Sequence, residues 1–199
     1  MKIQPPAFVI ALKDHSHSMK LLGDCMKSAE LYDWKVEINW AVDGRSIKQR
    51  TWGEQGLPLP EYKKINNRPG IQGCFLSHWF LWKKCIELNQ QIIILEHDAV
   101  IEMKWKKVDV LTHLTKLHTE FKVKRNKFTG NWGDSTHAYT LSPNQANMLI
   151  EFSIKNGPFP TDVLIGDNVV SWRCLENDNV VARNENRGIS TTTFLEEAR

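Results

Sequence analysis

Apolar runs and amphipathic segments alternate along the first half of the chain. Ala7 to Leu12 is an uninterrupted apolar stretch suited to a strand buried on both faces. Met19, Leu22, Cys25, Met26 and Ala29 then recur at helical spacing up to about Leu31, with Ser16 or Ser18 available as the cap. From Trp34 to Val42 the period shortens to two: Val36, Ile38 and Trp40 alternate with Lys35, Glu37 and Asn39, and the run stops at Asp43-Gly44. Strand, helix, strand opens an α/β fold. Gly53, Gly56, Pro58, Pro60, Pro69 and Gly70 predict an irregular loop over 45–72, and loops of that length tend to be functional.

Gly73 to Asn89 predicts a helix in which Cys74, Phe75, His78, Trp79, Leu81, Trp82, Cys85 and Ile86 share one broad face opposite Lys83, Lys84 and Glu87. Gln91 to Val100 follows as a strand whose Ile-Ile-Ile-Leu core meets Glu96-His97-Asp98. Further on, Val108, Leu111, Leu114 and Leu117 have helical spacing over 108–118, and His137 to Leu141 reads as a short strand. Ser142-Pro143 starts a helix, with serine as cap and proline in the first turn. Pro158 and Pro160 close it, and Thr161 caps another helix carrying Val163, Ile165, Val169 and Trp172. The polar stretch from about 184 is expected to be a flexible tail. With no repeat or long linker, residues 1–199 parse as one domain.

At 41% hydrophobic and 25% charged residues, the composition excludes a disordered or fibrous chain. The apolar stretch Ile92 to Leu95 falls far short of the ~20 residues of a spanning helix. The N-terminus lacks the length and cleavage signals of a secretory peptide, so the expectation is a cytoplasmic protein. Cys25, Cys74, Cys85 and Cys174 form no C-x-x-C pair and read as reduced thiols. The net charge of +3 conceals a basic segment over 104–127, where eight Lys and Arg face only Asp109 and Glu120. That excess suits peripheral contact with an anionic surface or acceptor, or simply a solvated face. No helix-turn-helix, zinc-finger or RNA-recognition signature accompanies it, which argues against sequence-specific nucleic-acid binding.

The strand end at Glu96 carries the most chemistry. If the backbone stays extended through residue 98, Glu96 and Asp98 point to one side and His97 to the other. Two carboxylates there repel one another unless a cation lies between them, and oxygen-only ligands suit Mn²⁺ or Mg²⁺. Ligand crevices of open α/β sheets lie outside the carboxyl ends of the strands. The plainer alternative is an acidic triplet that ends a strand and begins a turn.

Gly73-Cys74-Phe75-Leu76-Ser77-His78 with Leu81-Trp82, followed by Ile93-Ile94-Leu95-Glu96-His97-Asp98, resembles glycosyltransferase family 25, the lipooligosaccharide and procollagen galactosyltransferases. The Ala41-Val42-Asp43-Gly44 turn, Ala138-Tyr139-Thr140-Leu141-Ser142, and Pro160 with Asp162 agree in order. The resemblance implies a single-domain GT-A-like α/β fold with a mostly parallel central sheet. It also implies metal-dependent, inverting transfer of a hexose, often galactose, from a UDP-sugar to a glycan or lipid-linked saccharide, as in lipooligosaccharide biosynthesis. By the same resemblance Glu96 and Asp98 hold the Mn²⁺ or Mg²⁺, while Asp43, Ser77, His78 and Glu96 line the donor pocket. Asp162, with Asp167 as alternative, is the general base. Where the family usually has Glu-Asp-Asp, this chain has Glu96-His97-Asp98.

Each of these residues also has a structural reading: Asp43 as a turn residue, His78 as a core histidine, Asp162 as a helix cap. Trp132, in a Gly-Asn-Trp-Gly-Asp loop, suits either stacking on a sugar or anchoring the loop. Two other functions stay open on the residues alone. One is a metal-dependent phosphoryl transferase or hydrolase, and the other a non-catalytic glycan-binding relic of the same fold.

Overall fold

The sheet is assembled around β3, which the sequence marks as its most apolar strand. The computed structural model describes residues 3–61, 63–105, 113–117, 124–125, 132–133, 136–166, 169–175 and 180–183. In chain order these form β1 (Ala7–Ala11), α1 (Ser16–Leu31), β2 (Val36–Trp40), a 3₁₀ turn (Gly44–Ser46), α2 (Gln49–Glu54), α3 (Lys63–Asn66) and α4 (Pro69–Leu88). Then come β3 (Ile92–Glu96), β4 (Ala99–Ile101), β5 (Leu114–Lys116), β6 (Lys124–Arg125), β7 (Trp132–Gly133) and β8 (Ala138–Leu141). The described chain closes with α5 (Pro143–Asn156), α6 (Thr161–Leu164), β9 (Trp172–Cys174) and β10 (Val181–Arg183).

The main sheet has the order β2-β1-β3-β8-β5-β9. β1 pairs in parallel with both β2 and β3, the pairing that crossover connections through α1 and α4 produce; β8 enters antiparallel between β3 and β5, and β5 pairs in parallel with β9. The sheet is thus mixed, and its mostly parallel part is the N-terminal half. β4 pairs with β10 and β6 with β7 in separate two-stranded ribbons.

Period-two alternation divides β1 and β3 between two cores. Ala7, Val9, Ala11, Ile93 and Leu95 pack with Leu22, Cys25 and Ala29 of α1. Phe8, Ile10, Ile92 and Ile94 pack with Phe75, Trp79, Trp82 and Cys85 of α4, together with Ala146 and Leu149 of α5. Burying a large aromatic side chain such as Trp79 or Trp82 contributes roughly 3 kcal/mol, and α4 presents three that interlock, with Phe75 stacked on Trp79 and edge-on to Trp82.

The ends of the elements differ in detail from the sequence expectations. α1 is capped by His15, whose Nδ1 accepts from the Ser18 amide, because Ser18 is turned inward to accept from the Leu12 amide. Residues 45–72 are not an irregular loop: they hold a 3₁₀ turn, two short helices and the first turn of α4, which Pro69 starts. The proline counted there as a loop residue is a helix initiator. α4 ends where expected, with Asn89 as a left-handed cap at φ 47°. α5 starts at Ser142-Pro143 as predicted and completes a capping box with Gln145, and Gly157 closes it.

Two helical expectations fail. Leu114 and Leu117, placed in a helix by their spacing, lie in or beside strand β5, where pairing to β8 and β9 overrides a weak local signal, while Val108 and Leu111 lie outside the described residues. The helix begun by Thr161 ends at Leu164, and Trp172 belongs to β9. The polar tail from 184 lies outside the described residues, as does most of the basic segment. Cys25, Cys74, Cys85 and Cys174 form no disulfide among the described residues. No helix among the described residues is long and apolar enough to cross a membrane.

Candidate active site

The α4 core changes character at the carboxyl end of β3. Glu96 continues the alternation of Ile92 and Ile94, so its side chain leaves the sheet on the α4 face. There its Oε1 accepts a 2.6 Å hydrogen bond from Thr136 Oγ1 and lies 3.5 Å from His78 Nε2. His78 is fully buried. Its ring stacks on Tyr139, with centroids 5.7 Å apart, and its Nδ1 lies 2.8 Å from the Tyr139 hydroxyl. That hydroxyl also accepts from Trp82 Nε1 at 3.0 Å. Tyr139 pairs across the sheet with Ile94, so the phenol is held from below by β8 and from above by α4. A network of this kind fixes the imidazole plane and directs Nε2 at the carboxylate.

One helical turn before His78, Cys74 adds a thiol to the same cluster: one ligating atom from each of Cys74, His78 and Glu96 lies within 4.8 Å of the others. Burial first and the Glu96 charge second push the Cys74 thiol well above its ordinary value. Its Sγ stands 3.8 Å from Thr161 Oγ1 in the first turn of α6. Asp162, the next residue, is exposed and its charge also reaches Cys74, so α6 brings an acid to the rim of the cluster.

Asp98 is placed differently. β3 ends at Glu96, residues 97 and 98 turn, and Ala99 joins the α1 core. Asp98 is buried, and its charge helps push the Cys25 thiol of α1 up to about 12. The extended backbone that would set Glu96 and Asp98 side by side stops two residues short. The turn has a physical cause, since β4 must reverse toward α1, where the Ile101 amide donates to Ser28 Oγ. His97 is partly buried, and burial holds its imidazole below the ordinary value. The extended strand that would align Glu96 with Asp98 ends at Glu96; the donors seen to converge on Glu96 are a thiol and an imidazole.

Asp43 caps the 3₁₀ turn after β2, accepting from the Arg45 amide and pairing with the Arg45 guanidinium at 2.6 Å, which holds its carboxyl below the usual range. Asp43 is thus a turn residue, and the same contact leaves Arg45 beside it as an exposed cation. Ser77 is engaged structurally: its Oγ accepts from the Val42 amide at 2.9 Å and donates to the Gly73 carbonyl at 2.6 Å. Asp167 and the side chain of Trp132 lie outside the described residues. The sequence alone does not mark Cys74, Thr136, Tyr139 or Thr161 as site residues. The four-residue step from Cys74 to His78 was the one available signal, since both fell on a single helical face.

A sheet whose central strand ends in a buried polar cluster has the layout of α/β proteins that take their ligand outside the carboxyl ends of the strands. The profile of Glycosyltransferase family 25 (LPS biosynthesis protein) matches residues 4–131, most of the chain. The chain belongs to glycosyltransferase family 25. It is 38% identical to a Glycosyltransferase 25 family member of Aedes aegypti over 78 residues, 36% of this chain and 13% of that protein. Procollagen galactosyltransferase 1-B of Xenopus laevis is 35% identical over 85 residues, 39% of this chain and 14% of that one. The matched region thus spans about a seventh of these relatives' length. A crystal structure of a glycosyltransferase involved in the glycosylation of the major capsid of PBCV-1 superposes on 97% of this chain and 98% of its own, with a TM-score of 0.49 and 8% identity.

Proposed function

We propose that the protein moves a hexose, galactose first among candidates, from a UDP-sugar to a hydroxyl of a glycan or lipid-linked saccharide, with inversion at the transferred carbon. The observation that supports this reading best is Glu96. It is a carboxylate held by Thr136 and directed by His78 at the carboxyl end of a central strand, in a chain of this family. Asp43, held by Arg45, stands at the end of the neighbouring β1–β2 pair, where it would contact the uracil or ribose of the donor.

Inverting transfer needs a base on the acceptor side to take the hydroxyl proton as an oxocarbenium-like state develops. Asp162 fills this role in our reading: it is exposed, lies on a different element from Glu96, and reaches the same cluster. Asp167 is the alternative base. Glu96 and Asp98 remain the acids by which a divalent cation, Mn²⁺ or Mg²⁺, would enter this end of the sheet.

The test is release of UDP from a panel of UDP-sugars with a saccharide acceptor and added Mn²⁺, Mg²⁺ or neither. UDP release that requires acceptor supports transfer. Phosphate release from simple nucleotides would make the chain a hydrolase, and glycan binding without turnover would make it a non-catalytic relic. Asp162→Asn should lower kcat by about 100-fold or more while leaving UDP affinity nearly unchanged, since a general base contributes roughly that much. Loss of UDP binding in that variant would instead put Asp162 in the donor pocket.

A further inference from the structure

We propose that Cys74, His78 and Glu96 form a three-ligand site for a borderline divalent metal ion, with Zn²⁺ the ion of choice. The set mixes one sulfur, one nitrogen and one oxygen, the combination that suits Zn²⁺ and ill suits Mn²⁺ or Mg²⁺. Cys74 and His78 are one turn apart on α4, so a single rigid helix supplies two ligands and β3 supplies the third.

The distances are close to those a metal requires. Two ligand atoms on a tetrahedral Zn²⁺ lie roughly 3.3–3.6 Å apart. His78 Nε2 and Glu96 Oε1 are already 3.5 Å apart, and the widest separation in the cluster is within 4.8 Å. A rotation at Cys74 that closes about 1 Å completes the geometry. His78 Nε2 is an independent pointer to a ligand: it is buried, makes no hydrogen bond and faces the carboxylate. A histidine whose second nitrogen is fixed elsewhere is what metal sites use, and here Tyr139 Oη fixes Nδ1. Thr136 likewise orients Glu96, and Thr161 stands beside Cys74. All three ligands therefore have an outer partner.

Three protein ligands leave a fourth position for water or a substrate oxygen, as catalytic zinc sites do.

The inference does not depend on sugar transfer, and its test uses the metal alone. The purified full chain, stripped with chelator, is titrated with Zn²⁺ against a chromophoric competitor and with Co²⁺ in the absorption spectrometer. One equivalent of Zn²⁺ and a thiolate-to-Co²⁺ charge-transfer band are expected. Cys74→Ser should abolish the band and weaken Zn²⁺ binding by at least about 100-fold, and Glu96→Gln should keep the band with binding weakened about 10- to 100-fold. Should Cys74→Ser not fold, Cys74→Ala replaces it, with loss of the band again expected. Substoichiometric Zn²⁺ or an absent band overturns the site. UDP release by a chain that holds no Zn²⁺ would overturn it and leave the transfer reading standing. Stoichiometric Zn²⁺ without turnover would support it and remove that reading.

Discussion

On the α1 face of β3, Ile93 and Leu95 meet Ala7, Val9, Ala11 and Ala138, with the Cys25 thiol buried among them and Asp98 close enough to raise it. On the α4 face, one residue away in sequence, Ile92 and Ile94 lead directly into Glu96, His78 and Tyr139. Around the strand the first face is filled mainly by small and aliphatic side chains, with Trp34 at its edge donating to the Met103 carbonyl. The second is filled by aromatics whose polar tips meet, as Trp82 and His78 both converge on one phenol. One strand therefore serves as a plain core on one side and as the floor of a site on the other. Stability and chemistry should be separable by side.

The largest effect should come from the seat of α4. A Cβ on Gly44 would fall 1.6 Å from the Pro69 carbonyl oxygen, and one on Gly73 would fall 2.4 Å from that of Val42. Both neighbours are backbone and cannot swing aside, so Gly44→Ala should cost on the order of 4 kcal/mol or more. A denaturation midpoint equal to that of wild type would show that the turn and the helix are not so closely apposed.

Next in size, Leu95→Ala on the α1 face should cost about 2–5 kcal/mol, with kcat unchanged below the lowered Tm. Tyr139→Phe on the other face should cost less, about 1–3 kcal/mol for an indole left unpaired, yet reduce UDP release far more. Equal effects of both variants on kcat, with matched loss of stability, would erase the distinction between the faces. A smaller change is expected from Ser28→Ala, about 1 kcal/mol, because Ser28 Oγ donates to the Cys25 carbonyl and accepts from the Ile101 amide that anchors β4. Denaturant titration measures it directly.

The last effect, and the smallest near neutral pH, is a pH dependence. Burial pushes the Cys25 and Cys85 thiols up to about 12, with Asp98 adding to the first. The unfolded thiols ionise near their ordinary value of about 8.5. Their contribution is thus complete below that pH and is lost as pH rises toward the folded values. Cys25→Ala should flatten the fall of Tm between those limits, and in the native protein both thiols should resist alkylation at about pH 8. Rapid alkylation of Cys25 would mean that the α1 core opens readily.

Elements with strong local signals were legible in the sequence. Ile92 to Leu95 could only be a buried strand, and Ser142-Pro143 with Gln145 specified a helix start by hydrogen bonds that residues three apart can make. Elements set by distant partners were not. Leu114 and Leu117 have helical spacing, and nothing near them announces the strands β8 and β9 that claim them. At the site, Glu96 was legible because a charge at the end of an apolar strand needs a reason. The turn that follows it was not, because the break at residue 97 is imposed by β4 docking on α1. Cys74 was visible as a residue on the right helical face, but the carboxylate that makes it a candidate ligand comes from another element.

The position of β8 has a consequence for how the protein is made. Ile94 lies between Phe8, near the start of the chain, and Tyr139, far beyond it in sequence. While the ribosome is still short of residue 141, β3 has only one flank covered and offers an apolar, unpaired edge to other nascent chains. The same delay applies to Tyr139 and Thr136, so His78 and Glu96 acquire their orienting partners only after β8 is synthesised. Synthesis that stalls before that strand should therefore yield a chain prone to self-association, and the chemistry of the site matures only once β8 has joined the sheet.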